Sequence, residues 1–122
     1  MTKRILVVED QEDNRQILRD LLGSVGYDMI EAGDGAAGVA AATAQRPDLI
    51  LMDIQLPLMD GYEATRRIKA NPELKGIPII VVTSYALSGD EAKARAAGCD
   101  AYVTKPYSPR QLLAKIREFL PA

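Results

Sequence analysis

The chain has 122 residues, of which 48% are hydrophobic and 26% are charged, and its formal net charge is −2. This balance predicts one globular domain with a hydrophobic core, and it argues against a disordered chain and against the concentrated basic patch that nucleic-acid binding needs. Because the chain has no histidine and one cysteine, histidine-based hydrolase triads, most zinc sites and internal disulfides are excluded.

Strand-like and helix-like segments alternate along the whole chain. Short apolar runs predict buried strands, and apolar residues at helical spacing predict amphipathic helices. The predicted strands cover residues 5–8, 27–32, 49–52, 79–82 and 101–104, and the predicted helices cover 12–24, 35–44, 61–70, 88–97 and 109–120. The apolar stripe of the first helix consists of Ile17, Leu18, Leu21, Leu22 and Val25.

Individual residues mark the ends of these helices. Gly26 and Gly98 follow the first and fourth helices, where a glycine commonly ends a helix. Asp34 precedes the second helix as a candidate N-cap, and Asn71-Pro72 ends the third. Ser108-Pro109 combines an N-cap residue with a proline at the first helical position, and it therefore begins the last helix.

This succession of five strand–helix pairs predicts an α/β fold. Apolar parallel strands need crossover helices, which cover both faces of the sheet. We expect a (βα)5 doubly wound, flavodoxin-like fold with strand order 2-1-3-4-5, in one domain over residues 1–122. That order places the first and third strands side by side, so Asp10 and Asp53 should face each other.

Four of the predicted strands end in polar residues that suit phosphate chemistry. Glu9 and Asp10 follow the first strand, Asp53 the third, Thr83 the fourth and Lys105 the fifth. Open α/β sheets bind ligands at this edge, and clustered carboxylates repel each other unless a cation such as Mg²⁺ lies among them. A carboxylate can attack a phosphoryl group, while a lysine supplies counter-charge and a threonine a hydroxyl. Alternatively, Glu9 and Asp10 merely begin a helix, whose N-terminal dipole favours acids.

The motifs at these strand ends resemble a known family. The segment Met52–Gly61, with the sequence MDIQLPLMDG, and the Lys105–Pro106 pair are similar to those of receiver domains of two-component response regulators, in the CheY-like superfamily. The resemblance covers essentially the whole chain, although the acidic pair is Glu-Asp where Asp-Asp is usual. It implies that Asp53 accepts a phosphoryl group from a phosphohistidine, with Mg²⁺ as cofactor. The implied metal ligands are Asp10, Asp53, the backbone carbonyl of Gln55 and, through water, Glu9.

The same resemblance implies how phosphorylation is read out. Thr83 and Lys105 would contact the phosphoryl group, and the Lys105–Pro106 peptide would be cis. Tyr102 occupies the position of an aromatic rotamer switch that responds together with Thr83. The predicted fourth helix, residues 88–97, is the expected mobile element, because a local charge change biases an equilibrium between two conformations.

The resemblance also implies partners. A sensor histidine kinase or a histidine phosphotransferase would dock near the first helix, and a downstream protein would bind the face formed by helix 4, strand 5 and helix 5. We expect no nucleic acid, no membrane, and a monomer or a weak phosphorylation-dependent dimer. We also expect a cytoplasmic, stand-alone receiver without an output domain, since the stretch Gly98–Tyr102 and the sequence DIQLP resemble the DivK-like single-domain regulators.

Several alternatives to such a switch remain open. The chain is not expected to be a turnover enzyme, but it could pass phosphoryl groups on as a shuttle or remove them as a phosphatase-like sink in a phosphorelay. A Mg²⁺-dependent aspartate-nucleophile phosphohydrolase usually carries a second acid two residues after the nucleophile, and this chain has Gln55 there. A flavodoxin-like small-molecule binder lacks support because no glycine-rich loop follows the first strand. Gln55 and Tyr85 stand where the family tunes the lifetime of the acyl phosphate.

Overall fold

Five strands and five helices alternate along the part of the chain that the computed structural model describes, residues 2–83 and 90–120. They are β1 (Arg4–Val8), α1 (Glu12–Ser24), β2 (Asp28–Ala32), α2 (Gly35–Gln45), β3 (Leu49–Asp53), α3 (Gly61–Ala70), β4 (Ile79–Thr83), α4 (Asp90–Ala97), β5 (Ala101–Thr104) and α5 (Pro109–Phe119). The predicted elements are confirmed, and those bounds that lie within the described residues differ by one residue at most. The predicted start of α4 at residue 88 and the flanking position Tyr85 lie outside the described residues. None of the described helices has the length and apolar character to span a membrane.

The five strands form one parallel sheet in the order β2-β1-β3-β4-β5. This is the predicted doubly wound order, with β1 beside β3 at the point where the chain reverses its direction of winding. Val8 of β1 lies opposite Met52 of β3, and Asp53 lies opposite Val82 of β4. The ends of β1, β3 and β4 therefore meet at one edge of the sheet.

Each strand sends alternate side chains to opposite faces of the sheet. One set packs with α1 and α5, and we call this side the α1–α5 face; it is formed by Ile5, Val7, Leu49, Leu51, Ile80 and Val82 with Leu18, Leu22, Leu112 and Ile116. The other set packs with α2, α3 and α4, on the α2–α4 face; it includes Leu6, Val8, Ile50, Met52, Ile79 and Val81 with Ala42, Ala64, Ile68 and Ala94. The alternation thus decides from which face of the sheet each residue at the carboxyl ends of the strands projects.

Local capping explains where α2, α4 and α5 begin or end. Asp34 caps α2 and Ser108 caps α5, since each side chain accepts a hydrogen bond from a backbone N–H in the first helical turn. Gln111 completes a capping box by accepting from the backbone N–H of Ser108 at 2.9 Å. Gly98 follows α4 with φ +106, a left-handed conformation that glycine adopts without strain. The next residue, Cys99, is buried and free, as expected for a structural thiol.

The apolar stripe of α1 is only partly buried. Leu18 and Leu22 lie in the core, whereas 62% of Ile17 and 38% of Val25 are exposed. Helical periodicity predicts the apolar stripe, but it does not show how wide a strip of the helix the sheet covers. Gly26, with φ +90, ends the helix as predicted.

Candidate functional site

The carboxyl edge of the sheet brings three acidic side chains together. Glu9 follows β1, Asp53 is the last residue of β3, and Asp10 lies in the loop before α1. One carboxylate oxygen of each lies within 4.8 Å of the others. Glu9 and Asp53 are buried, whereas Asp10 is exposed. The expectation that Asp10 and Asp53 face each other across neighbouring strands is met, and Glu9 is the more enclosed member of the acidic pair.

The carboxyl groups of Glu9 and Asp53 each shift the pKa of the other. Burial, a hydrogen bond with Glu9 and the negative charge of Glu9 together raise the pKa of Asp53 to about 7. Burial by itself would raise the pKa of Glu9 as well, but hydrogen bonds with Asp53 and Asn14 and the charge of Lys105 lower it. Near pH 7 and without a cation, the Asp53 carboxyl group is therefore about half protonated, and it is largely protonated at lower pH. Such crowding is typical of a site that is built to receive positive charge.

Lys105 supplies one positive charge at the edge of this pair. Its Nζ lies 3.4 Å from Asp53 Oδ2 and 3.5 Å from Glu9 Oε2. The backbone N–H of Lys105 donates to the Thr83 carbonyl at 2.6 Å, which ties the loop after β5 to the end of β4. The peptide bond between Lys105 and Pro106 is cis, as the sequence resemblance implied. One ammonium group thus faces both buried carboxyl groups.

Three further donors surround the buried pair. The Asn14 side chain and the Gln11 backbone N–H each donate to Glu9 Oε1 at 3.2 Å. The Gln55 backbone N–H donates to Asp53 Oδ1 at 3.1 Å. The resemblance implies that the Gln55 carbonyl is a metal ligand, which stays a prediction. The contact of Asn14 with Glu9 was not predicted. The only sequence signal for Asn14 was its place in the first turns of α1, five residues after Glu9.

The loop after β3 approaches the backbone of Asp53 closely. A Cβ atom on Gly61 would lie only 2.1 Å from the Asp53 carbonyl oxygen, so only glycine fits there. Asp60 accepts a hydrogen bond from the Glu63 N–H at 2.9 Å and caps α3. These contacts explain the Asp-Gly pair that ends the MDIQLPLMDG segment. In the same loop, Leu58 is fully exposed and has φ +68, which the sequence did not indicate.

Thr83 and Tyr102 lie on the opposite face of the sheet from Glu9 and Asp53. Glu9 and Asp53 continue the alternation of Val7 and Leu51, whereas Thr83 continues that of Val81 on the α2–α4 face. Thr83 is buried at the end of β4, and Tyr102 is half-buried against the α2–α4 core cluster. The two proposed switch residues therefore share a face, and their roles remain predictions.

An apolar cleft opens beside the site. It has a volume of about 350 Å³, lies between α1 and the loop after β5, and reaches Asp53 and Lys105 at its polar end. The exposed side chain of Ile17 and the ring of Tyr107 line it, and burial together with the charges of Glu9 and Asp53 raises the pKa of Tyr107. A partner was predicted to dock near α1, but the cleft was not predicted.

Comparisons with known proteins agree with this arrangement. A family model described as "Response regulator receiver domain" matches residues 5–117. The polar-differentiation response regulator DivK of Brucella ovis is 43% identical over 120 residues, which cover 98% of this chain and 98% of that protein. The receiver domain of sensor histidine kinase PA1611 from Pseudomonas aeruginosa, solved with a magnesium ion coordinated in the active site cleft, matches with a TM-score of 0.92 and 37% identity over 100% of both chains. The chemotaxis protein CheY4 of Vibrio cholerae matches with a TM-score of 0.92 and 27% identity, over 98% of this chain and 99% of that one.

Proposed function

From the premise that this chain belongs to the response regulator receiver family, we propose that Asp53 accepts a phosphoryl group from a phosphohistidine of a kinase or phosphotransferase. The observation that carries this proposal is the position of Asp53: it is buried at the carboxyl end of a central strand, between Glu9 and the ammonium group of Lys105. A carboxylate in that position has an oxygen available as nucleophile and a cation beside it to offset developing charge.

The same donor set suits a magnesium ion. Three carboxylates with oxygens within 4.8 Å of one another are hard oxygen ligands of the kind that Mg²⁺ prefers. Asp10 and Asp53 would hold the ion together with the carbonyl of Gln55, and Glu9 would act through water. When bound, Mg²⁺ neutralises charge on the phosphoryl oxygens and lowers the pKa of the neighbouring acids.

The chemical step uses the residues of this chain in defined roles. An Asp53 carboxylate oxygen attacks phosphorus, a new P–O bond forms, and the P–N bond of the phosphohistidine breaks. The imidazole of the donor leaves with the bonding electron pair and takes up a proton. Lys105 stabilises the charge on one phosphoryl oxygen, and the Thr83 hydroxyl donates a hydrogen bond to another. The product is an acyl phosphate on Asp53, which adds charge to an enclosed site.

The proposed output is a change of conformation and not a released product. Thr83 would move toward the phosphoryl group, and Tyr102, which packs on the same face of the sheet, would follow. The affected surface is the face of α4, β5 and α5, where a downstream protein would bind, while the phosphodonor would dock beside α1. We favour a switch over a phosphohydrolase because the residue two positions after Asp53 is Gln55, which cannot act as a second catalytic acid.

The acceptor role is testable by intact-mass spectrometry. Wild-type protein, Asp53→Asn and the control Asp13→Asn, an exposed acid on α1, are incubated with acetyl phosphate and Mg²⁺. We expect one hydroxylamine-sensitive phosphoryl adduct on the wild type and the control, and none on Asp53→Asn. A folded wild type that binds Mg²⁺ and still gains no adduct would refute the proposal. Adding a phosphotransferase then separates a shuttle, which returns the phosphoryl group, from a switch that keeps it.

A further inference from the structure

The side chain of Arg15 connects the segment Glu9–Asp10, which we call the acidic loop, to α1 and β2. Arg15 lies on α1, and only 18% of its side chain is exposed. Its Nη1 donates to the backbone carbonyl of Glu9 at 2.7 Å. A charge-assisted hydrogen bond of this length is among the stronger contacts that a carbonyl can receive. The Glu9 carbonyl belongs to the peptide that joins Glu9 to Asp10, so Arg15 holds the link between the two acids.

The backbone of Glu9 is held by hydrogen bonds on both sides of its Cα atom. The Glu9 N–H donates to the Ala32 carbonyl of β2 at 3.0 Å, and the Glu9 carbonyl accepts from Arg15 of α1. The side chains of Glu9 and Asp10 project from opposite ends of the Glu9–Asp10 peptide. A rotation of that peptide would move both carboxylates relative to Asp53, which the sheet holds in place.

The guanidinium of Arg15 is itself held in position by two acids. Its Nη2 lies 2.6 Å from Glu12 on α1, and its Nε lies 3.3 Å from Glu31 on β2. A planar guanidinium can serve three acceptors in fixed directions, which a lysine ammonium on a flexible stem does less well. Glu12 and Glu31 thus hold the Arg15 guanidinium in the orientation from which it donates to the Glu9 carbonyl.

Arg19 provides an internal comparison for this arrangement. It lies one turn further along α1 and pairs with the same two acids, Glu31 at 2.6 Å and Glu12 at 3.2 Å. Its hydrogen bonds go to side chains of Glu12, Gln16 and Glu31, whereas Arg15 also contacts the Glu9 carbonyl. Arg19 therefore shares the ion-pair network of Arg15, but within the described part of the chain it makes no hydrogen bond to Glu9 or Asp10.

We propose that Arg15 is a positioning residue of the metal and phosphoryl site, acting through the backbone of Glu9 and Asp10. This inference rests on the proposed function, because it concerns how those two carboxylates are oriented toward a bound Mg²⁺. Charge alone predicts the opposite effect: removing a nearby cation should strengthen the binding of another cation. A loss of metal affinity on removing Arg15 would therefore report lost positioning.

The test compares Arg15→Met, Arg15→Lys and the matched control Arg19→Met in the full chain. The Mg²⁺ dissociation constant is measured by isothermal titration calorimetry, and folding is checked by circular dichroism and by thermal melting in EDTA. We expect Arg15→Met to bind Mg²⁺ about tenfold more weakly, as for lost outer-shell contacts at metal sites, Arg15→Lys to fall between it and the wild type, and Arg19→Met to match the wild type. Raising Mg²⁺ should restore phosphorylation of Arg15→Met by acetyl phosphate, since the nucleophile is intact.

Equal Mg²⁺ affinities in Arg15→Met and Arg19→Met would overturn the inference. If Arg15→Met does not fold, Arg15→Lys decides, and a wild-type dissociation constant in that variant would overturn it as well. The proposed function fails in a different way: a folded wild type that binds Mg²⁺ but gains no phosphoryl adduct refutes the acceptor role of Asp53, while the affinities still decide the role of Arg15. A wild type that binds no Mg²⁺ at all would refute both.

Discussion

Replacing Lys69 by methionine should destabilise the fold at the end of the sheet opposite the acidic site. The Lys69 ammonium donates to the carbonyls of Lys75 and Ile77 at 2.9 Å each and to Asp100 Oδ2 at 2.8 Å. Its side chain is 16% exposed, and the same Asp100 oxygen also accepts from the Ile79 N–H at 2.8 Å. One side chain of α3 thereby joins the loop before β4 to the start of β5.

The magnitude follows from how enclosed this ammonium is. Hydrogen bonds to charged groups contribute about 1.5–3 kcal/mol each when they are fully realised, whereas exposed ion pairs contribute about 0–1 kcal/mol. Methionine keeps most of the stem that packs against Gly98, and the freed carbonyls can bind water in part. We therefore expect a loss of roughly 2–3 kcal/mol for three partly shielded bonds, a large fraction of the ~5–15 kcal/mol that stabilises an ordinary domain.

The assay is urea unfolding followed by circular dichroism, with Lys115→Met as the matched control. Lys115 makes an ion pair with Glu118 at 3.1 Å, with 36% and 58% of the two side chains exposed. We expect the unfolding midpoint of Lys69→Met to fall by roughly 1–2 M urea, and that of Lys115→Met to change little. Equal midpoints for the two variants would refute the argument that enclosure gives the Lys69 contacts their value. Phosphorylation of folded Lys69→Met should persist, because Asp53 lies at the other edge of the sheet.

Three further predictions concern the site itself. Gly61→Ala should cost at least ~3 kcal/mol of unfolding free energy, because its Cβ would lie 2.1 Å from the Asp53 carbonyl, while Gly76→Ala, with nothing within 4 Å, should cost less than ~1 kcal/mol in the same urea assay; a similar cost at both positions would contradict this reading. Without metal, Asp53 should lower stability increasingly as the pH rises from about 4 to about 7, since its pKa is raised to about 7 in the folded state and the native protein binds the proton more tightly than the unfolded chain does. The lowered pKa of Glu9 acts in the opposite direction, so the gain of Asp53→Asn over wild type at pH 8 relative to pH 5 should be roughly 1–3 kcal/mol by urea unfolding in EDTA, and the absence of any gain would be inconsistent with the coupled pair. Mg²⁺ at 100 times its dissociation constant should stabilise the wild type by about 2.7 kcal/mol in thermal melting and stabilise Asp10→Asn clearly less; an equal effect on both would exclude Asp10 as a ligand.

The order of the elements could be predicted because it depends on local patterns. Apolar runs of strand length, helical spacing and capping residues such as Asp34 and Ser108 act within a few residues of the chain, and the sheet order followed from general rules for parallel strands. The extent of burial was less predictable. Ile17 fits the helical stripe and is nevertheless exposed, because burial depends on which part of the sheet lies beneath the helix.

The residues at the strand ends also followed from the sequence, because parallel strands bring their carboxyl ends to one edge whatever the details of packing. Glu9, Asp53 and Lys105 come together there as the pattern predicted. The sequence did not predict that Thr83 and Asp53 project from opposite faces of the sheet, since this depends on the register of β3 and β4.

The chemistry of the site is thus contained in the sequence, whereas its tuning is decided by tertiary structure. A strand that ends in an aspartate specifies a carboxylate at the edge of the sheet. Only packing buries that carboxylate beside Glu9 and raises its pKa, and only the position of α1 in the fold brings the Arg15 side chain to the Glu9 carbonyl. Both effects depend on distances between atoms that are remote along the chain or turned toward each other by the fold, and such distances leave no periodic signal in the sequence.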